Sequence, residues 1–191
     1  MTTIRTRDIV LQPFTAEDVD QQYYNWLQDE EIVRYLDVAR KDRSPEALLE
    51  YVNQISNSPD NFFFKICLKD SMAKIGTISL ALHRIHNTAS YGYIIGERDY
   101  WGGTWALQAQ IGLFDYAFDN LSLRKIIGGA VTSNVGSIFN FNRLGLEREG
   151  IRRSHCLVGM DGNEVCDYAD YGCLVEGWAA ISEKFQNLRN P

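Results

Sequence analysis

The chain has 191 residues, of which 45% are hydrophobic and 23% are charged. This length and composition suit one globular domain over residues 1–191 with a sizeable core. The net charge of −6 at pH 7 argues against a nucleic-acid partner, because phosphate contacts need a basic face. No apolar run is long enough for a membrane span. We therefore expect no membrane partner and a small or cationic substrate.

The cysteines show neither a paired metal-ligand spacing nor a secretory signal before them. We expect reduced thiols, no metal site and a cytoplasmic protein. The four cysteines are Cys67, Cys156, Cys166 and Cys173.

The first half of the chain alternates between strand and helix patterns. β-Branched and aromatic runs predict strands over residues 8–14, 62–69, 74–83 and 89–97. Capping residues followed by apolar residues at helical spacing predict helices over residues 15–27, 25–36 and 44–56.

The second half continues with a long helix, a buried strand and a short helix over residues 105–121, 125–132 and 136–144. The turn Asp161-Gly162-Asn163 then joins two strands over residues 147–160 and 164–174, as in a hairpin. A polar C-terminal helix at about 175–189 carries a line of apolar side chains. We expect it to dock on the domain or on a second copy in a homodimer.

The stretch from Ser90 to Leu121 is the centre of the functional prediction. A buried strand over residues 91–95 leads through the Gly102-Gly103 turn into a helix. Such a turn leaves backbone N–H groups unpaired at the positive end of the helix dipole, which is a site for phosphate. The plainer alternative is a sharp turn with no ligand. The turn lacks the lysine of a Walker loop and the spacing of a dinucleotide site, so nucleoside triphosphates and NAD fit poorly.

Three segments resemble one family. Tyr100-Trp-Gly-Gly-Thr-Trp-Ala106 resembles the Tyr-Trp-Gly-Lys-Gly-Tyr-Ala signature of Rim-type GCN5-related N-acetyltransferases, whose loop holds the pyrophosphate of acetyl-coenzyme A. Residues 132–150 resemble that family's Asn-x-x-Ser-Ile block, and residues 25–36 resemble a segment of its members that acetylate amino sugars. The resemblance implies an α/β (α+β) GNAT fold with a mixed, mostly antiparallel, twisted sheet of about seven strands flanked by helices.

The resemblance also implies site residues. Acetyl-coenzyme A is the expected cofactor, with contacts from Ile94, Ile95, Gly96, Trp101, Gly102, Gly103, Thr104, Trp105, Ala106, Asn134, Ser137, Phe141 and Asn142. The acceptor is expected to meet Trp26, Arg34, Tyr35 and Tyr91. Two positions depart from the pattern: Thr104 replaces the central glycine of the loop, and Phe141 replaces a tyrosine that many relatives use to protonate the leaving thiolate.

Acetyl transfer to an amine requires a neutral nitrogen and a polarised carbonyl. We expect the backbone of Ile95 to polarise the carbonyl. The candidate bases are His83, His86 and Glu97, with plain surface or core roles as the alternative for each and a water relay also possible.

The preferred function is N-acetylation of a small-molecule primary amine, with an amino sugar on a nucleotide carrier as first choice. A protein N-terminus is the second choice. A catalytically silent acyl-coenzyme A-binding module is the alternative of another class, which Thr104 and Phe141 would favour.

Overall fold

The computed structural model describes residues 2–189, so the first residue and the last two of the predicted domain lie outside the described part. One eight-stranded sheet forms its centre, in the order β1-β2-β3-β4-β5-β6-β8-β7. The strands are β1 (Ile4–Arg5), β2 (Ile9–Pro13), β3 (Asn61–Leu68), β4 (Lys74–His83), β5 (Thr88–Ile95), β6 (Lys125–Val131), β7 (Glu147–Val158) and β8 (Glu164–Leu174). Neighbouring strands are antiparallel except β5 and β6. The mixed, mostly antiparallel sheet is confirmed, with one strand more than expected, because β1 is too short to produce a pattern.

Helices cover both faces of this sheet. They are α1 (Gln21–Gln28), α2 (Glu30–Val33), α3 (Pro45–Ser56), α4 (Trp105–Asp115), α5 (Val135–Leu144), α6 (Val175–Ser182) and α7 (Gln186–Arg189). No helix in the described range is both long enough and apolar enough to cross a membrane.

The predicted helices over residues 15–27 and 25–36 are divided differently in the structure. Thr15 caps only a 3-10 turn, and the side chain of Asp20 accepts a hydrogen bond from the Tyr23 N–H at the start of α1. Asp29 ends α1 and caps α2 in the same way. Aspartates at these positions stabilise a new helix start more than a continuous helix. The prediction of α3, with Ser44 as its cap and a proline in the first turn, is confirmed.

The core has two parts, one on each face of the sheet. On one face, β2 to β6 pack against α4, whose residues from Leu107 to Phe114 are all buried. On the other face, Phe14, Trp26 and Val52 belong to a smaller cluster under α1, α2 and α3. Helix α4 is therefore the central helix of the domain, and its N-terminus is fixed by packing along its whole length.

The predicted C-terminal helix is divided into α6, a 3-10 turn and α7, and it packs on its own domain. The Trp178 ring is buried 5.2 Å from the Phe114 ring, measured between centroids. Its indole Nε1 donates a hydrogen bond of 2.8 Å to Asp115, which also pairs with Arg189.

We predict that Trp178→Ala lowers the free energy of unfolding by about 3–5 kcal/mol, because it leaves a large cavity beside Phe114. Urea denaturation followed by circular dichroism measures this loss. Glu183→Ala, an exposed position in the same segment, is the control and should change stability little. A Trp178 variant as stable as the parent would show that the tail does not dock as described.

Candidate active site

Strands β5 and β6 pair only from Thr88–Lys125 to Ser90–Ile127 and then diverge. The Gly96 N–H bonds to Ile75 on β4, and backbone groups alternate in direction along a strand. Tyr91, Tyr93 and Ile95 consequently direct their N–H and C=O groups towards the gap between β5 and β6. Beyond the last strand pair this opening offers backbone hydrogen-bonding groups to a ligand, among them the N–H and C=O of Tyr93 and the N–H of Ile95, whereas the Ile95 carbonyl accepts from the Trp101 indole.

Two cavities meet at this opening. The splay cavity, about 400 Å³, lies between β5, β6, α5 and the β7–β8 hairpin. The arm cavity, about 490 Å³, lies between the sheet, α1, α3 and residues 36–42. The residues that line both cavities are Leu36, Asp37, Gly92 and Tyr93. A molecule in one cavity can therefore reach a molecule in the other.

The turn before α4 has the features of an anion site. Gly102 has φ +76°, and no atom lies within 4 Å of where its Cβ would be. Side chains cap α1, α3 and α5, whereas within residues 2–189 no side chain caps α4 at Thr104. The first N–H groups of α4 are thus available for an anion at the positive end of the helix dipole.

A hydrogen-bond network through Gln108 holds the Thr104 side chain. Its Oγ1 accepts a hydrogen bond of 3.0 Å from Nε2 of Gln108, which is fully buried. The same amide group donates to the Asp8 carboxylate at 2.9 Å and accepts from the Asp8 N–H at 2.9 Å. The hydrogen bonds that Arg7 and Gln108 donate to the Asp8 carboxylate, with the Arg7 bond the stronger cause, hold the pKa of Asp8 below its usual value. This network fixes the turn to the start of β2.

The remaining loop residues lie around the turn. Trp101 is exposed, and its indole Nε1 donates 2.8 Å to the carbonyl oxygen of Ile95. A Cβ on Gly103 would lie 2.8 Å from the Trp105 ring. Ala106 is half-buried, and its carbonyl accepts from Gln110.

Of the cofactor residues expected from the second family segment, three line the splay cavity and one does not. Asn134 caps α5 through a 3.1 Å bond from the Ser137 N–H, and both residues line the splay cavity. Phe141 also lines it and packs 5.0 Å from Tyr171 between centroids. Asn142 is exposed and lines neither cavity.

The expected acceptor residues are not all together. Tyr35 and Tyr91 line the splay cavity. Trp26 is buried against Gly96, where a Cβ would lie 2.1 Å from the indole. Arg34 lies outside both cavities, in an ion pair of 3.1 Å with Glu164.

The three candidate bases line neither cavity. His83 bonds to the Ser90 hydroxyl at 2.8 Å where β5 and β6 are still paired. His86 is exposed in the turn between β4 and β5. Glu97 Oε1 accepts from Trp26 at 2.9 Å and from Gln22 at 2.8 Å, so its carboxylate links α1 to the end of β5.

The sequence analysis missed His155, which lines the splay cavity. The Arg152 guanidinium lies 2.7 Å from His155 Nε2, bonds to both carboxylate oxygens of Asp170, and stacks 4.4 Å from the Tyr168 ring centroid. In a regular strand Arg152 and His155 would face opposite sides. An irregularity of β7 at this point, with φ +47° at Ser154, brings them together.

The β7–β8 hairpin is joined to the arm, the segment of residues 29–43. The Gly159 N–H donates to the Arg34 carbonyl at 3.0 Å, and Arg40 Nη1 donates to the Gly159 carbonyl at 3.4 Å. Since the arm and β7 both line the splay cavity, these contacts connect its two outer walls.

Comparison with known proteins places this geometry among acetyltransferases. A family model described as an acetyltransferase (GNAT) domain matches residues 8–147. The uncharacterized N-acetyltransferase p20 of Bacillus licheniformis is 28% identical over 158 residues, which cover 81% of this chain and 88% of that protein. The uncharacterized N-acetyltransferase YnaD of Bacillus subtilis is 26% identical over 176 residues, covering 92% and 98%.

Solved structures share the fold at lower identity. Spermidine N-acetyltransferase from Vibrio cholerae, in complex with CoA and spermine, has a TM-score of 0.80 and 19% identity, with 90% of this chain and 98% of that chain covered. Ribosomal-protein-S5-alanine acetyltransferase from Vibrio fischeri has a TM-score of 0.77 and 16% identity, with coverage of 93% and 99%.

The bonds of Glu97 predict a structural role that stability measurements can test. Trp26→Phe removes the indole donor and leaves the carboxylate with one protein partner fewer. We expect the free energy of unfolding to fall by about 1.5–3 kcal/mol in urea titrations, as for a hydrogen bond to a charged group. Trp101→Phe removes an exposed indole donor to a neutral carbonyl and should cost less. Equal losses would count against this role for Glu97.

Proposed function

Because this chain belongs to the GNAT family of acetyltransferases, whose family model spans residues 8–147, we propose that it acetylates a small-molecule primary amine held where its two cavities meet. Family members transfer the acetyl group of acetyl-coenzyme A. The observation that carries the proposal is the opening between β5 and β6, which adjoins both cavities.

The residues around the opening fit acetyl-coenzyme A. The N–H groups of the turn from Gly102 to Ala106 would hold its pyrophosphate, since no side chain occupies the N-terminus of α4 within the described range. The backbone of Tyr91 and Tyr93 would hold the amides of its pantetheine arm, next to Ser137 on α5. When bound, the cofactor supplies an acetyl group activated as a thioester.

This chain's own residues orient the reactants and stabilise charge. The Ile95 N–H, on the open side of β5, is the proposed donor to the carbonyl oxygen of the acetyl group, where negative charge develops during transfer. Phe141 and Tyr91 form an apolar side of the splay cavity and exclude water there. His83, His86 and Glu97 lie outside both cavities, so any part they take in proton removal runs through water.

For the acceptor we propose an amino sugar on a nucleotide carrier. The arm cavity combines aromatic rings on which a base can stack, among them Tyr51 and Phe63, with Lys41 as a partner for phosphate. Arg34 and Arg40 are engaged with the β7–β8 hairpin and are less available. A protein N-terminus is the weaker candidate, because the junction of arm and hairpin narrows the space for a polypeptide.

Cofactor binding can be tested by thermal melting. At a hundred times its dissociation constant, acetyl-coenzyme A should stabilise the protein by about 2.7 kcal/mol. Gly103→Pro removes a backbone N–H and fixes φ, so we expect it to lose this shift. Gly103→Ala is the matched control, since it adds a Cβ against the same Trp105 ring but keeps the N–H, so it should retain more of the shift than the proline variant. A full shift with the proline variant would contradict the assignment of the turn.

The acceptor can be tested by release of free thiol from acetyl-coenzyme A with a panel of amines. The panel contains UDP-glucosamine, spermidine and a peptide with a free N-terminal alanine, and we expect the highest kcat/KM with the nucleotide-linked sugar. Preference for the peptide or for spermidine would refute the proposed acceptor but keep the enzyme. No turnover with any amine, despite a cofactor-induced shift in melting, would favour a binding module without catalysis.

A further inference from the structure

One carboxylate lies where the two cavities meet. Among the four residues that line both, Asp37 alone carries a carboxyl group. We infer that Asp37 is a catalytic residue, which binds the ammonium group of the acceptor and removes a proton from it; this inference rests on the proposed function. An amine that reaches from the arm cavity into the splay cavity lies beside Asp37 and the other three shared residues.

The local structure keeps the Asp37 carboxylate accessible. Leu36 is extended, and Asp37 begins a 3-10 turn that ends at Arg40. The side chain is 86% exposed, and its ion pair with Arg40 is 3.3 Å long. Arg40 also donates to the Gly159 carbonyl, so the positive charge of Arg40 is shared between that oxygen and Asp37. Glu97, by contrast, already accepts two short hydrogen bonds.

The negative charge of Asp37 affects the pKa of groups on the β7–β8 hairpin. Burial raises the pKa of Cys156 on β7, and the negative charge of Asp37 raises it further. Burial also raises the pKa of Tyr168 on β8, which Arg152 lowers and to which Asp37 adds only the smallest of several increases. Together with its place in the lining of both cavities, this puts the Asp37 carboxylate near the β7 wall of the splay cavity. The titratable and charged groups on the walls of the two cavities are Tyr23, Tyr35, Lys41, Asp42, Tyr51, Tyr91, Tyr93, Arg152, His155, Cys156 and Tyr168, with Arg40 beside them.

Other polar groups near the junction are engaged. His155 Nε2 faces the Arg152 guanidinium at 2.7 Å. Asp42 Oδ1 accepts from the Ser44 N–H at 2.8 Å, which holds it at the start of α3. The Tyr93 hydroxyl accepts from Asn140 at 3.0 Å. Asp37 is thus the anionic group best placed to receive a proton from the amine.

The proton balance of the step is complete. The ammonium group has three protons, of which one stays on the amide product, one passes to an Oδ of Asp37 and then to water, and one ends on the released thiol. The nitrogen lone pair freed by Asp37 forms the new C–N bond as the C–S bond breaks with its electron pair on sulfur. No oxidant, reductant or metal ion enters this balance.

The test compares Asp37→Asn with the parent, using the panel amine that gives the highest turnover. General-base removal typically costs 10²–10⁴-fold, so we expect kcat/KM at pH 7 to fall by about 10²-fold or more. The loss should shrink as the pH approaches the pKa of the amine, because more of the amine is then already neutral. The melting shift with acetyl-coenzyme A should be unchanged. Asp37→Glu, which keeps a carboxylate, should recover a large part of the rate.

Asp161→Asn is the control, because Asp161 is exposed on the β7–β8 hairpin and lines neither cavity. Its kcat/KM should equal that of the parent. An Asp37→Asn enzyme with parental kcat/KM would overturn the inference and leave the proposed function intact. Loss of the cofactor-induced shift would also overturn it, since Asp37 would then support the structure. If the parent acetylates no amine of the panel, the proposed function and this inference fail together.

Discussion

The early end of the β5–β6 pairing determines where the site lies. The last pair is Ser90–Ile127, and the next residues are Tyr91 and Gly128. The Tyr91 ring occupies the place beside Gly128, 2.5 Å from where a Cβ would be. Its hydroxyl lies 3.0 Å from Gln110 in the buried α4, and burial raises its pKa, so the ring stays neutral. A fixed aromatic ring at this point coincides with the divergence of the strands, and both the open backbone of β5 and the splay cavity follow from that divergence.

The elements that local patterns control were predictable from the sequence. Strands β4 and β8 have the predicted bounds, and α3 starts at its serine cap. The glycine turn before α4 was also found, because its conformation depends on neighbouring residues. The division of the first helices was missed, since Asp20 and Asp29 favour caps over helix interiors by a small energy that the apolar spacing conceals.

The site itself was only partly predictable, because its side chains come together through distant packing. Tyr91 is predicted to touch the acceptor; its half-buried side chain packs against α4, where its hydroxyl bonds to Gln110, and forms part of the cavity wall. His155 would point away from Arg152 in a regular strand, and only the irregularity of β7 reverses it. Asp37 belongs to a polar connection with no pattern of its own, and it gains significance only where two cavities meet.

The two sides of the site are held with different strength. The cofactor side consists of sheet backbone and the start of α4, which the buried Gln108 ties to the start of β2. The arm is attached to the hairpin by the exposed pair of Arg34 with Glu164, by the backbone bond from Gly159 to Arg34 and by the bond from Arg40 to the Gly159 carbonyl. Exposed ion pairs stabilise little, so these contacts hold the arm to the hairpin less firmly than the Gln108 network holds the turn, although Val33 and Ala39 anchor the arm in the core. Changes in the arm should therefore alter the choice of acceptor, and changes at the turn before α4 should alter cofactor binding, with little effect of either on the other.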